Sequence, residues 1–244
     1  MSRRGIVLGA LALSIAVPLR AAAVAADLPA DSLSRPALLD AGWGVQRRWA
    51  AVSANGSFVY EFALKTWNGA GKLKESVTRS ARVVNRGGTH RSEILSATKD
   101  GRDVTAQARA DEETGRRARA KSKPKDDFPS PFDPRFRDRY AFSEAPAPEA
   151  GVDLVFRPRS EFEGALEGRA RFDAAGALRR VNFNLAKRPR FTKRLDFTII
   201  IGADGYPERV ESGGEVSLII WKRKFESTLL LRDIRAGEKE KEAR

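Results

Sequence analysis

The chain carries 45 Lys and Arg against 32 Asp and Glu over 244 residues, a formal charge of +13, with no cysteine and one histidine. No residue of this sequence can therefore form a disulfide, ligate zinc or an iron–sulfur cluster through thiolate, act as a thiol nucleophile or carry a lipid on a lipobox cysteine. One histidine also excludes a multi-histidine metal site within one chain, while a 41% hydrophobic share still supplies a globular core.

The first elements in chain order are a positive start (Arg3, Arg4), an uncharged apolar run from Gly5 to Leu19, and a small-residue stretch ending Ala23, Val24, Ala25, Ala26. These are the parts of a secretory signal peptide, and the apolar run is short of the roughly 20 residues that span a bilayer. Residues 1–26 are thus expected to be cleaved on export. The rest is expected to be soluble, and the Arg- and Ala-rich leader points to a bacterial periplasm. Cleavage would remove Arg3, Arg4 and Arg20, leaving 42 basic and 32 acidic residues, a charge of +10. Export also redirects that charge, away from nucleic acid and towards anionic lipid head groups, cell-wall polymers or an acidic partner.

Residues 27–54 predict one helix with Ser34 or Arg35 as N-cap, Pro36 in its first turn, and Leu38, Leu39, Val45 and Trp49 at helical spacing. Gly42 and Gly44 predict a break in its middle. From residue 57 the period changes to two. Phe58, Tyr60, Phe62 and Leu64 line one face of a strand over 57–67, and Asn68 to Gly71 reads as a turn. Strands over 72–85 and 89–98 follow, joined by short Gly-rich turns that predict hairpins. Residues 103–113 read as a polar helix capped by Asp103 or Thr105 and interrupted at Gly115. Residues 121–139 hold four prolines and read as a basic loop, in which Phe128, Phe132 and Phe136 need something to pack on.

The second half alternates more cleanly. Strands are predicted over 139–143, 152–156, 168–173, 178–186, 192–201, 206–211, 215–224 and 225–232, with Ser212 to Gly214 as a turn and 236–244 as a charged, frayed tail. The fold class is mainly β (α+β): a curved antiparallel sheet or unclosed β-barrel of about ten strands, covered by one or two helices, in one domain over 27–235. Ile200, Ile219 and Trp221 oppose Ile199, Leu218 and Ile220, so some strands read as apolar on both faces and in need of cover on both.

Catalytic signatures are weak. His90 has no G-x-S-x-G elbow to serve and reads as a strand histidine. Glu161, Glu163 and Glu167 are close in sequence but read as solvated loop and edge residues. No phosphate-binding glycine pattern occurs. The chain is expected not to be an enzyme and to need no cofactor or metal. Arg179, Arg180, Lys187, Arg188, Arg190, Lys193 and Arg194 form a basic run containing no acid, read as a contact for an anionic surface or as a solvated face opposing edge pairing. Phe58, Tyr60, Phe62, Leu154, Phe156, Phe183, Phe197, Ile199 and Trp221 form the candidate apolar ligand site.

The order of these parts, with Val152 to Pro158 and the hairpin from Glu167-Gly168 through Asp173 and Gly176 to Arg180, resembles the periplasmic lipoprotein-carrier (LolA/LolB-like) superfamily and its outer-membrane lipoprotein-sorting relatives. The resemblance covers most of the chain after residue 26. It implies an unclosed antiparallel barrel capped by helices, an apolar cavity for acyl chains, and a lipid or lipidated protein as partner. The other reading is a non-enzymatic envelope interaction or sensing module with a filled core and a basic contact surface. Neither reading involves nucleic acid.

Overall fold

The period-two patterning becomes one continuous antiparallel sheet in a computed structural model that describes residues 34–119, 129–147, 150–218 and 221–237. The predicted signal peptide, Phe128, Ile219 and the tail beyond Gly237 lie outside the described residues. Helix α1 (Arg35–Asn55) leads into strands β1 (Gly56–Asn68), β2 (Leu73–Arg86), β3 (Thr89–Lys99) and the two-residue β4 (Arg102–Asp103). Helix α2 (Thr105–Arg119) follows. A 3-10 turn at Arg137–Arg139 then leads into β5 (Tyr140–Pro146), β6 (Gly151–Pro158), β7 (Leu166–Asp173), β8 (Leu178–Leu185), β9 (Thr192–Ile201), β10 (Pro207–Leu218) and β11 (Trp221–Ala236). The sheet has 11 strands in the order β4-β3-β2-β1-β11-β10-β9-β8-β7-β6-β5. Every neighbour is also a neighbour in the chain except β1 and β11, whose pairing joins two meanders into one curved, unclosed sheet.

Helix α1 starts at Ser34 with Pro36 in its first turn, where a missing N–H costs nothing. It is unbroken through Gly42 and Gly44, contrary to the expected break. The ring of Phe132 lies on Gly42, and a Cβ there would stand 2.8 Å from Phe132 Cγ. The glycine at this position serves contact rather than termination. The prediction for Phe132 is met in the same contact: the ring is 3% exposed and packs edge-on to Phe156, with centroids 6.1 Å apart. The segment carrying it is tied down at several points. Tyr140 Oη donates to Pro129 O at 2.7 Å, Arg137 Nη2 meets Asp40 Oδ1 at 2.7 Å, and Gln46 Nε2 donates to Ser130 Oγ.

One face of α1 serves two clusters. Its N-terminal half (Leu38, Leu39, Val45) packs with Phe132, Tyr140, Leu154, Phe156, Phe172, Leu178 and Ile201. Its C-terminal half (Val52, with Trp49 alongside) packs with Phe58, Tyr60, Ala81, Val83, Ile94, Leu229 and Leu231. The part of the sheet beneath α1 is thus apolar along the length of the helix.

The opposite face is polar, which corrects the two-faced reading. There Arg180, Ile200, Arg209, Leu230 and Glu61 follow one another across the strands, and Asn182, Thr198, Glu211 and Thr228 form the adjacent row. Ile200 and Leu230 are single half-buried apolar residues among charges, which is ordinary for a solvated face.

Two further boundaries differ from expectation. Gly115 does not interrupt α2, which runs to Arg119. Ser212 to Gly214 is the middle of β10 rather than a turn, and Lys224 and Phe225 sit inside a single long β11. Gly214 pairs with both Leu195 and Phe225, and the Phe225 ring folds over it, so that a Cβ would stand 2.6 Å from Phe225 Cζ. A glycine in a strand often marks such a close approach.

Candidate functional site

The register places the candidate apolar residues on one face, in two zones. Nearest α1 lie Phe58 and Tyr60 (each 4% exposed) and Leu154 and Phe156 (each 0%). These rings fill the space beneath the helix, and Trp49 sits 5.2 Å from Phe58 between centroids. Further along the same strands, a row runs from Phe156 through Gly168, Phe183, Phe197, Ser212, Ser227 and Leu64 to Val77. In this row Phe183, Phe197, Leu64 and Val77 are half-buried. Phe183 and Phe197 stack at 5.2 Å with 15° between their planes. Leu185, Leu195 and Phe225 are half-buried two residues further on, and Phe62 and Ile199 lie between this band and the helix. The structure therefore brings Phe62, Phe183, Phe197 and Ile199 together in an accessible band. It encloses Phe58, Tyr60, Leu154 and Phe156 in the packed interior. Trp221 belongs to β11, and its side chain lies outside the described residues.

Leu64, Val77, Leu195 and Phe225 complete the band, although sequence reading had not assigned them to a site. The available signal was the continuation of the same alternation past Phe62 and Phe197, which periodicity alone does not divide into covered and open parts.

The basic run is less free than its sequence implied. Acids outside the run meet Arg179 (Asp173, 2.7 Å), Lys187 (Glu161), Lys193 (Glu215, 4.0 Å) and Arg194 (Asp196, two residues on in β9). Arg188 donates to the Lys193 carbonyl at 2.6 Å. Arg180 and Arg190 are exposed and make no ion pair among the described residues. Between Arg190 and Thr192 the hairpin presents Phe191, 59% exposed and at φ +68°, its carbonyl held by the Ser217 amide at 2.8 Å. This β8–β9 hairpin tip is adjacent to the Leu185–Leu195 end of the band.

Among the described residues of the polar face one charge is buried, Asp153, which is 0% exposed. Arg171 Nε and Nη2 donate to its two oxygens at 2.9 and 3.1 Å, and Arg169 Nη1 adds a contact at 3.2 Å. The hydrogen bonds from Arg171 hold the Asp153 carboxyl below the usual carboxylate range, against the opposing effect of burial. Tyr140, donor to Pro129 O and acceptor from Leu166 N at 3.2 Å, has its hydroxyl pushed up by burial.

Of the residues considered for catalysis, His90, Glu161 and Glu167 are held by ordinary structural bonds, and Glu163 is exposed. His90 Nδ1 lies 3.0 Å from Asn85 Oδ1, and Asn85 Nδ2 donates to Val52 O. Glu161 pairs with Lys187, and Glu167 Oε1 accepts from Asn184 at 3.4 Å. Among the described residues no group of three or more His, Asp or Glu is placed to hold a metal ion.

No protein-family model matches this chain, and no curated protein matches it. Solved structures similar to it include a chain described as showing lipid–protein interactions in lipovitellin, at 10% identity and a TM-score of 0.29. That match covers 78% of this chain and 26% of the other, so the chain spans about a quarter of it. The complex of MucA and MucB from Pseudomonas aeruginosa matches at 12% identity and a TM-score of 0.24, covering 82% of this chain and all of that one. A second structure, of MucB with the MucA(peri) segment, matches at 10% identity and a TM-score of 0.20. At these values the fold assignment rests on the sheet order and helices themselves: mainly β, one curved antiparallel sheet left unclosed, with two helices.

Proposed function

We propose that this protein is an exported, periplasmic, non-enzymatic carrier of an apolar ligand, a lipid or the acyl chains of a lipoprotein, as the lipoprotein-carrier resemblance implies. The observation that carries the reading is the half-buried band of Leu64, Val77, Phe183, Leu195, Phe197 and Phe225 on the helix-covered face, continuous with the packed core. An acyl chain laid on it would remove apolar surface from water, worth about 25 cal/mol per Å². The cations at the neighbouring hairpin would meet the anionic head group. Organic extraction of the purified protein followed by mass spectrometry, together with titration by a fluorescent fatty acid, tests this directly. Co-purified lipid or saturable binding is expected; absence of both defeats the proposal.

A second reading is an envelope interaction module. It is favoured by the complete packing of Phe58, Tyr60, Leu154 and Phe156, which leaves no ligand space beneath α1 at those positions. A protein that binds no fatty acid yet still adsorbs to anionic envelope components through the Arg180 and Arg190 surface would support it.

A further inference from the structure

The β3 edge of the sheet is not evenly finished along its length. At β3, the C-terminal end is closed by β4, which pairs with Thr98 and Lys99. Val104 N donates to Ala97 O, Ala97 N donates to Thr105 Oγ1, and Arg109 Nε caps the Ile94 carbonyl, each at 3.0 Å. Towards the N-terminal end, no strand pairs with Thr89–Glu93 on the outer side among the described residues.

The direction of the main chain there follows from the hairpin. Arg86 and Thr89 close a two-residue turn at Gly87 and Gly88 (φ +54° and +74°), so their hydrogen bonds point towards each other. Alternation then turns Arg91 and Glu93 inward to β2, and Ser92 and Ile94 outward. The outward Ile94 carbonyl bonded by Arg109 confirms that parity independently.

Beside this open stretch lies a groove of about 800 Å³ between β2, β3 and α2, lined by Arg82, Arg86, Arg91 and Arg109 among others. Two of its three acids are engaged by arginine, Glu93 facing Arg82 at 3.9 Å and Glu112 bonding Arg79 at 2.6 Å; the third is Glu113 of α2. Arg86 and Arg91 are exposed and make no ion pair among the described residues. They project on the polar face, Arg91 opposite Val84 and Arg86 opposite Thr89.

We propose that the outer edge of β3 over Thr89–Glu93 is a docking site for an extended acidic peptide segment of a partner protein, which adds a strand to the sheet. Main-chain pairing would use the outward N–H and C=O of Ser92. Carboxylates at alternate positions of the added strand would fall on the polar face opposite Arg91 and Arg86, and the intervening side chains would face α2.

The test uses the purified full chain and a fluorescein-labelled peptide of alternating Glu and Val, followed by anisotropy and hydrogen exchange. Saturable binding with slowed exchange at the Ser92 amide is expected. R86E/R91E should weaken binding at least tenfold without shifting the thermal midpoint, and the milder R91Q should weaken it less. The same peptide N-methylated at alternate amides should not bind, and nor should its Lys-for-Glu counterpart. No saturable binding of the acidic peptide overturns the proposal. So does equal binding of the N-methylated form, which would mean charge attraction alone, or concentration-dependent dimerisation that protects Ser92.

Discussion

The ring of Phe132 sits directly on Gly42, joining a proline-rich loop to the middle of the first helix. A glycine that should weaken α1 instead forms the notch that seats the ring. G42A gains helix propensity of about 1 kcal/mol but forces a methyl into the ring. The expected net result is a loss of about 1–3 kcal/mol in urea unfolding. F132A should cost about 3–5 kcal/mol, and the double variant less than the sum, because the added methyl then has room. Strict additivity would show that the two residues do not share one contact.

The two zones of the apolar face predict two kinds of variant. F58A and F156A remove fully packed rings and should lower stability by about 3–5 kcal/mol, with fatty-acid affinity unchanged in the folded fraction. F183A/F197A dismantles the half-buried stacked pair and should reduce affinity at least tenfold with a smaller loss of stability. Stopped-flow or equilibrium titration alongside thermal melts separates the two effects. Equal affinity losses in both sets would move the site beneath the helix.

Asp153 makes stability depend on acid. Its folded pKa lies below the unfolded value of about 3.9, so the unfolded chain takes up the proton first. The contribution is full at neutral pH, falls as pH drops through about 4, and is gone below the folded value. D153N should cost about 1–2 kcal/mol at pH 7, moderated because Arg169 and Arg171 reach solvent. The gap between wild type and D153N should close on acidification, as read from urea midpoints across pH 7 to 3. A pH-independent gap would show that the carboxylate charge is not what stabilises the fold.

Charge pairing sorts the basic run. In sedimentation with vesicles containing phosphatidylglycerol, R180Q/R190Q should weaken binding several-fold, and K187Q/R194Q much less, because Glu161 and Asp196 already offset those cations. F191S should weaken it as well, since the exposed ring stands among those cations. Binding should fall with salt in every case. Equal effects from the paired and unpaired cations would refute this assignment.

Period-two patterning carried most of the architecture: the strands from Phe58 to Thr98 and from Val152 to Ile201 lie where the alternation put them. It failed at Gly42, Gly115 and the Gly213–Gly214 pair, where glycine was read as punctuation. At Gly42 and Gly214 the residue is instead the floor beneath an aromatic ring, Phe132 from a distant segment in the first case and Phe225 of the paired strand in the second. The same limit applies to the site. Alternation identified the apolar face through Phe183 and Phe197, but which part of it α1 covers depends on tertiary placement. The basic run looked unopposed because Asp173, Glu161 and Glu215 reach it from outside residues 179–194.

The pairing of β1 with β11 has a mechanical meaning. It places the first and the last strand side by side at the centre of the sheet, where Gly56 faces Ala236. The two free rims, β4 and β5, are successive strands, and α1 packs against the strands behind both of them. Its N-terminal half lies on β5 to β9 and its C-terminal half on β1 to β3 and β11. One helix therefore braces both meanders across their seam, and the gape of the sheet, with the size of molecule it can cradle, follows from how that brace is seated.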